Sequence, residues 1–281
     1  IGPDHLEFFG SMDVSAQAKA ELLDCLPPNG TAILNADDSF YDYLAARARC
    51  RVVSFGLSAK ADVRAMDVTT DKGNGTIFHL LLPGHVRRTT VHVRVQGEHN
   101  VANALAAAAV GTVLGLSGSA IARGLSKFRP AAMRSQVSVY RGVKLIIDCY
   151  NANPASMTAA VQLLAQVKAK GKKIAVLGDM LELGPNAARM HEDVGEFVAR
   201  HRVDQLIACG PLAQHLAKGA RAAGQDPACI MTVSDAHVAA NAIKGIAKSG
   251  DVVLIKASRG MKLELVADAL QEHGSASKKA S

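Results

Sequence analysis

The chain has 281 residues, of which 49% are hydrophobic and 20% charged, enough for packed cores in about two domains, so a disordered protein is excluded. Aromatic residues make up only 4% and Trp is absent, which favours aliphatic cores of the kind found in helix-covered parallel sheets. The net charge is +7, but no long basic run or set of stacking aromatics accompanies it. This pattern does not favour nucleic-acid binding.

The cysteines and the apolar stretches indicate a cytoplasmic protein. Five cysteines are odd in number, far apart and never spaced as C-x-x-C, so neither a disulfide framework nor a zinc site is predicted. The longest apolar stretch, 101–116, includes Asn103 and is shorter than the roughly 20 residues that cross a bilayer. We predict a buried helix there, no membrane insertion and, without a signal peptide after the opening Ile-Gly-Pro, a cytoplasmic location.

The first predicted element is a helix that ends at the Pro-Pro-Asn-Gly of 27–30. Its apolar positions at helical spacing are Val14, Ala18, Leu22, Cys25 and Leu26. A short buried strand is predicted at 31–35, and alternating residues between 52 and 95 predict successive strands that end before Gly97. Helices follow at about 100–114 and 119–127. We place the first domain at 1–134.

The second half alternates between apolar strands and helix-patterned segments, which predicts a doubly wound α/β domain at 135–273 and a disordered tail at 274–281. The four predicted strands are 144–148, 173–177, 205–209 and 251–255. Ligands of such sheets bind outside the carboxyl ends of the strands. The residues that follow those ends are 148–153, 178–184, 210–211 and 256–260.

Two segments carry polar residues that suit a ligand. After the first strand of the second domain, Asn153 and Pro154 are typical of a helix start, but capping does not explain Asp148, Tyr150 and Asn151. In the first domain His99, Asn100 and Asn103 fall on the first turn of a helix, where amides can meet the edge of a base. Helix capping remains the alternative for these asparagines.

Several familiar signatures are missing from the sequence. His191 and Glu192 lack the second histidine of a zincin helix, no G-x-S-x-G elbow is present, and no G-x-G-x-x-G follows a strand. These absences count against hydrolase and dinucleotide-binding functions. A phosphate-binding G-x-x-x-x-G-K-[ST] loop is also absent between Ile1 and Ser281.

Taken in order, several segments strongly resemble the Mur ligases over nearly the whole chain. They are 5–11, Lys19, 34–38, 97–103, Arg134, 148–154, 176–184, His191 and 256–259. The resemblance implies the later part of a central ATPase domain followed by a Rossmann-like C-terminal domain. It also implies that a UDP-sugar domain and the phosphate-binding loop precede Ile1, so we expect this chain alone to fold but to be inactive.

The same resemblance implies a reaction. Segments 150–154 and 177–184 are similar to those of the family members that join D-alanyl-D-alanine to UDP-N-acetylmuramoyl-tripeptide with ATP and Mg²⁺, through an acyl phosphate. Such an enzyme is a ligase of peptidoglycan precursor synthesis, and thereby of cell-wall biogenesis, cell shape and cell division. Its partners would be small-molecule substrates, without nucleic acid or membrane, and the protein is expected to be a monomer.

The resemblance also assigns roles to individual residues. His5 and a carbamylated Lys19 match the catalytic, metal-binding positions. A lysine amine that reacts with CO₂ becomes an anion with two oxygens, which suits Mg²⁺. The nucleotide-binding positions are matched by His99, Asn100 and Asn103 for adenine, Asp148 for ribose and Arg134 for phosphate. The substrate-binding positions are matched by Tyr150, Asn151, Asn153, Asp179, Glu182 and Arg259.

Four positions depart from the family pattern, and two other functions stay open. Ile147 and Cys149 stand where the family usually has Asp and Ser, while Met133 and Ala257 replace glycines. The alanine would be strained wherever glycine supplied a positive φ. One alternative is a related ligase such as a folylpolyglutamate synthetase, against which 150–154 argues. The other is a non-catalytic nucleotide-binding or scaffold module of the same fold.

Overall fold

The computed structural model describes residues 1–71 and 75–272, which fall into two compact units. The first unit contains Ile1 and Phe9–Arg129; the second contains Gly2–Phe8 and the residues from Pro130 onward. No sequence pattern predicted that Gly2–Phe8 belongs with the second unit. The domain ranges 1–134 and 135–273 stay predictions, and the tail at 274–281 lies outside the described residues.

The first unit is built on a five-stranded sheet of order β1-β2-β3-β4-β5. Its strands are β1 (Thr31–Asn35), β2 (Arg51–Gly56), β3 (Val63–Thr70), β4 (Thr76–Leu81) and β5 (Thr89–Val93). The β1–β2 and β2–β3 pairs are parallel, and the β3–β4 and β4–β5 pairs are antiparallel. The predicted strand at 31–35 and the strands between 52 and 95 are therefore confirmed.

The first unit has five helices among the described residues. They are α1 (Leu6–Phe9, shared with the second unit), α2 (Met12–Asp24), α3 (Tyr41–Arg47), α4 (Glu98–Val113) and α5 (Gly118–Ser126). In α2 the apolar positions that predicted the helix do not form its buried face, because Val14 is 44% and Leu22 71% exposed. The buried residues are Ser15, Ala16, Ala20 and Leu23. Most are small, and small residues let a helix pack closely.

The apolar stretch at 101–116 is only partly buried. Helix α4 buries one face against the sheet, through Val101, Leu105 and Ala108 among others. Leu114 is 72% exposed and Leu116 is 50% exposed, beyond the end of the helix. The prediction of a buried helix is thus correct for that face alone. No helix among residues 1–71 and 75–272 is long and apolar enough to span a membrane.

The second unit is a doubly wound sheet of order β10-β9-β8-β11-β7-β6, as predicted. Its strands are β6 (Gln136–Tyr140), β7 (Val143–Ile147), β8 (Lys173–Gly178), β9 (Gln205–Cys209), β10 (Ile230–Val233) and β11 (Val252–Lys256). All neighbours pair in parallel except β6 and β7. Strands β6 and β10 were not predicted.

Helices cover both faces of this sheet. They are α6 (Pro154–Gln166), α7 (Ala187–Arg200), α8 (Ala213–Ala222), α9 (Ala236–Ile246) and α10 (Glu264–Glu272). Helices α6, α7 and α8 form one apolar core with the sheet, and α9 and α10 form the other. This arrangement leaves the loops that follow the strands as the place for polar chemistry, because both faces are filled.

Candidate functional site

The loops after β7, β8, β9 and β11 are joined by hydrogen bonds into one polar network at the carboxyl ends of the strands. Because β11 lies between β7 and β8, its loop contacts the loops on both sides. Ser258, which is 4% exposed, accepts from the Leu181 N–H at 2.9 Å and donates to the Ala152 carbonyl at 3.4 Å. The Ser258 N–H donates to the Asp179 carbonyl at 3.1 Å.

Asp148 and Lys256 form the charged centre of this network. The Lys256 Nζ lies 2.7 Å from the Asp148 Oδ2, and the lysine side chain is 2% exposed. The other carboxylate oxygen accepts from the Ser135 N–H at 2.8 Å. The Asp148 side chain is 18% exposed, so its carboxylate is bound by Lys256 and Ser135 on the inside and is still accessible to a ligand. The sequence singled out Asp148 but assigned no role to Lys256.

Asp179 is held inside the second unit. It is 1% exposed, and its carboxylate accepts from the backbone N–H groups of Leu212 and Ala213, at 3.2 and 2.6 Å. Burial raises the pKa of this carboxyl, although the two backbone donors act in the opposite direction. Asp179 therefore ties the β8 loop to the start of α8. Direct contact with a substrate stays a prediction that these contacts do not favour.

His191 supports the β8 loop from the neighbouring helix. This fully buried side chain accepts from the Met180 N–H at Nε2, 2.9 Å away, and contacts the Ala187 carbonyl from Nδ1 at 2.7 Å. Those partners fix a neutral ring with its proton on Nδ1. Burial lowers the pKa of His191, which keeps the ring neutral. The sequence marked His191 only as part of a family pattern, because its partners cannot be read from spacing.

Exposed side chains surround Asp148. The Arg134 guanidinium lies 4.1 Å from the centre of the Tyr150 ring, a cation–π contact, and the Tyr150 N–H donates to the Met133 carbonyl at 3.2 Å. Arg259 contacts the Met133 sulfur at 2.9 Å and the Glu264 carboxylate at 2.8 Å. The structure thus brings Arg134, Asp148, Tyr150 and Arg259 around the segment that leads into β6.

The helix start at Asn153 is as predicted. Its side chain accepts from the Ser156 N–H at 2.8 Å, and the Ser156 hydroxyl accepts from the Asn153 N–H at 3.0 Å. These two bonds form a complete capping box, with Pro154 in the first turn. Asn153 is thereby occupied in capping α6. Asn151 is exposed, and its carbonyl accepts from Lys256 at 3.0 Å. Their contact with a substrate stays a prediction.

His5 lies beside Glu182 in the second unit. The His5 Nδ1 contacts the Glu182 carboxylate, and the Glu7 N–H donates to the Glu182 carbonyl at 3.1 Å. The side chains of His5 and Glu182 are both a little under half exposed. The imidazole is therefore accessible on one side. Among residues 1–71 and 75–272, no three His, Cys, Asp or Glu side chains are grouped as a metal site.

Lys19 lies on an exposed position of α2 in the first unit. Its Nζ donates to the hydroxyl of the buried Ser15 at 2.7 Å and lies 5.0 Å from the centre of the Phe9 ring. A carbamylated Lys19 also fits this position, because the Ser15 hydroxyl can reverse its role and donate to a carbamate oxygen. Such a side chain would supply the two oxygens that Mg²⁺ favours.

His99, Asn100 and Asn103 lie on the first two turns of α4. The Asn100 amide donates to the Gln96 carbonyl at 2.7 Å and lies 3.0 Å from the His99 Nε2. The helix begins after Gly97, whose φ of 100° no other residue adopts easily. The amide nitrogen of Asn100 is thus held by the backbone, which orients its oxygen, a suitable acceptor for the amino group of adenine.

Two of the family's glycine positions behave differently. Met133 has a φ of 59°, in the left-handed region that favours glycine. Ala257, in contrast, is not among the residues with positive φ, so the expected strain is absent there. Ala257 is fully buried, and burial also raises the pKa of the nearby Cys149 thiol to about 11, which keeps it protonated.

The fold and the site together define a class of protein. A doubly wound sheet whose strand ends present Asp148, an arginine and polar loops is typical of domains that bind nucleotides or other phosphorylated ligands at those ends. Comparison with known proteins narrows this class. Residues 1–111 match the family model of the Mur ligase middle domain, and 133–259 match that of the Mur ligase, glutamate ligase domain. The chain belongs to the Mur ligase family.

Named relatives extend this result. The chain is 33% identical over 273 residues to the UDP-N-acetylmuramoyl-tripeptide--D-alanyl-D-alanine ligase of Bacillus subtilis (97% of this chain, 58% of the relative). It is 37% identical over 289 residues to the ligase of the same name from Mycobacterium tuberculosis H37Rv (96% and 56%). The chain thus spans a little under three fifths of the length of these relatives.

Solved structures give the same picture. MurF from Acinetobacter baumannii superimposes with a TM-score of 0.84 at 31% identity, covering 96% of this chain and 58% of that one. MurF ligase from Thermotoga maritima, solved in complex with ADP, has a TM-score of 0.82 at 25% identity, covering 97% and 60%. Both units therefore have counterparts in ligases of known structure.

Proposed function

We propose that the complete protein containing this chain is an ATP-dependent amide ligase that adds D-alanyl-D-alanine to UDP-N-acetylmuramoyl-tripeptide in peptidoglycan precursor synthesis. The observation that carries this proposal is the match of both units to the two Mur ligase domains, together with the activity named for relatives above 30% identity. The substrates are small molecules. Because the reaction consumes ATP, we place it in the cytoplasm.

The chemistry explains why such an enzyme needs ATP. A carboxylate is a poor electrophile, so its oxygen first attacks the γ-phosphorus and ADP leaves, which gives an acyl phosphate. The amine of D-alanyl-D-alanine then attacks the acyl carbon, an amide bond forms, and phosphate leaves. Mg²⁺ would offset charge on the phosphates. His5 and a carbamylated Lys19 are each proposed as a residue of this chain that binds Mg²⁺.

The remaining residues are proposed to bind the substrates. Asn100, with His99 and Asn103 beside it, would bind adenine. Asp148 would bind the ribose, and Arg134 would move from the Tyr150 ring to a phosphate. The proposed dipeptide-binding residues are Tyr150, Asn151, Asn153, Asp179, Glu182 and Arg259. For Asn153 and Asp179 the internal contacts support a role in shaping the pocket walls.

A ligation assay with the complete gene product tests the proposal. ATP, the UDP-linked tripeptide and D-alanyl-D-alanine should yield phosphate and the pentapeptide, detected by mass spectrometry. Lys19→Ala should abolish product formation, and formate or acetate should restore part of it. Lys60→Ala, at another exposed lysine of the first unit, is the matched control and should retain activity. ATP binding without any ligation would favour the non-catalytic module instead, and near-normal turnover by Lys19→Ala would remove the proposed role of that residue.

A further inference from the structure

Lys256 is a buried cation whose partners all belong to one loop. It is the last residue of β11 and is 2% exposed. Its Nζ lies 2.7 Å from the Asp148 Oδ2, 3.0 Å from the Asn151 carbonyl and 3.4 Å from the Asp148 carbonyl. An ammonium group has three donors, so these three acceptors match its whole capacity.

The contacts continue from Asp148 to the segment that leads into β6. The Asp148 Oδ1 accepts from the Ser135 N–H at 2.8 Å, next to Arg134 in the chain. Lys256 thus fixes one oxygen of the carboxylate while Ser135 fixes the other, which leaves the carboxylate a single orientation. Taking a charge out of water is costly, and a long apolar side chain would fill the same volume without that cost. A lysine at this position therefore points to a task beyond packing.

We propose that Lys256 is a positioning residue, which orients the Asp148 carboxylate and the loop at 148–151 for recognition of a ribose hydroxyl. The identity of the ligand rests on the proposed function, whereas the positioning of Asp148 by Lys256 does not depend on it. Lys256 acts through Asp148 and does not itself contact the nucleotide. Its loss should therefore affect the choice of nucleotide more than the rate of turnover.

Hydrogen exchange tests the positioning without any assay of activity. In the complete protein, Lys256→Met should increase amide exchange at Ser135 and at 149–151, because the anchor of that loop is lost. Lys173→Met is the matched control, since Lys173 donates to the Ala165 carbonyl from the opposite end of the sheet. It should leave those amides unchanged. Unchanged exchange in Lys256→Met would overturn the proposal.

Nucleotide selectivity tests the consequence. In the wild type, the ratio of the KM for 2′-deoxy-ATP or 3′-deoxy-ATP to the KM for ATP should be about ten, because the analogue lacks one hydrogen bond to the enzyme. Lys256→Met should bring this ratio close to one while kcat changes less. If Lys256→Met does not fold, the double variant Lys256→Met, Asp148→Asn removes both charges and can be measured instead. Because Lys256 acts through Asp148, the KM ratio of the double variant should equal that of Asp148→Asn alone.

The outcomes separate this inference from the proposed function. A wild-type ratio near one for both analogues would overturn the ribose role of Asp148 and this inference with it. An unchanged ratio in Lys256→Met, with equal losses for ATP and the analogues, would show a purely structural lysine. A wild type that turns over no ATP would contradict the proposed function, whereas the exchange measurement would still decide whether Lys256 positions the loop.

Discussion

The two units hold their candidate residues in different ways. In the second unit, Asp179, Lys256, Ser258 and His191 are all at most 4% exposed, and all but His191 form hydrogen bonds with loops that are far away in sequence. In the first unit the candidate residues are on helices, with partners in the same helix or just before it. These are Lys19 with Ser15, and Asn100 with Gln96 and His99. Changes in the second unit should therefore cost stability first, and changes in the first unit should cost binding alone.

The largest effect is expected at Asp179. Asp179→Ala leaves the part-buried N–H of Leu212 and the buried N–H of Ala213 without their acceptor, which should lower the free energy of unfolding by about 2–3 kcal/mol. Denaturant titration followed by circular dichroism measures this value. Asp235→Ala is the matched control, because Asp235 also accepts from two N–H groups at a helix start but on the surface. An equal loss in both variants would break the comparison between buried and exposed partners.

A smaller effect is expected at Gly178, the last residue of β8. A Cβ added there would lie 2.8 Å from the Ala257 Cβ and 3.5 Å from the Cys209 carbonyl. Gly178→Ala should therefore destabilise the protein by about 1–2 kcal/mol, the cost of mild overpacking. In an Ala257→Gly background the same change should cost less, since the nearest atom is gone. Equal costs in the two backgrounds, measured by denaturant titration, would exclude this contact as the cause.

The first unit should respond in binding without a change in stability. Asn100→Ala should raise the KM for ATP of the complete protein by about tenfold, as expected for one hydrogen bond, while the melting temperature stays the same. Asn241→Ala, at an exposed amide on α9, is the control and should change neither quantity. A lower melting temperature in Asn100→Ala without any effect on KM would identify the asparagine as a helix-capping residue instead.

Much of the second unit could be predicted because its strands are continuous apolar runs. Strand β6 escaped prediction, since Val137 and Val139 are 58% and 65% exposed and the strand lies at the sheet edge. Its hairpin turn is Arg141-Gly142, with φ of 47° and 80°, and arginine is not a usual residue at such a position. In α2 the size of the apolar side chains was misleading, because the small residues face inward.

The sequence was sufficient to predict which loops form the candidate site, but not which side chains in those loops contact one another. Asp148 was identified from its place after a strand, and parallel sheets bring such ends together. Its partner Lys256 lies 108 residues later, and no local pattern links the two. The burial of Asp179 could not be predicted for the same reason, because its hydrogen-bond donors come after β9. Sequence spacing identifies strand ends, whereas three-dimensional packing decides which side chains there are buried.

The smallest effect is expected in the pH dependence that His191 confers. Burial lowers the pKa of His191 from an ordinary value of 6.5, so below that value the unfolded chain binds a proton that the folded protein does not. The folded state is then disfavoured on acidification, and its stability rises again with pH. Between about pH 7.5 and 6.0 the loss should reach at most about 0.8 kcal/mol. Melting temperatures across this range measure it.

The comparison variant for this prediction is His191→Gln. Glutamine does not titrate, but its oxygen can still accept from the Met180 N–H, so the variant should be less stable than the wild type at pH 7.5 and closer to it at pH 6.0. Burial is the main cause of the raised pKa of Asp179, and Asp179 is present in both proteins. His85→Gln, at an exposed position of the first unit, should keep the wild-type profile. Parallel profiles for His191→Gln and the wild type would mean that folding leaves the pKa of His191 unchanged, which would contradict the acceptor role of its buried Nε2.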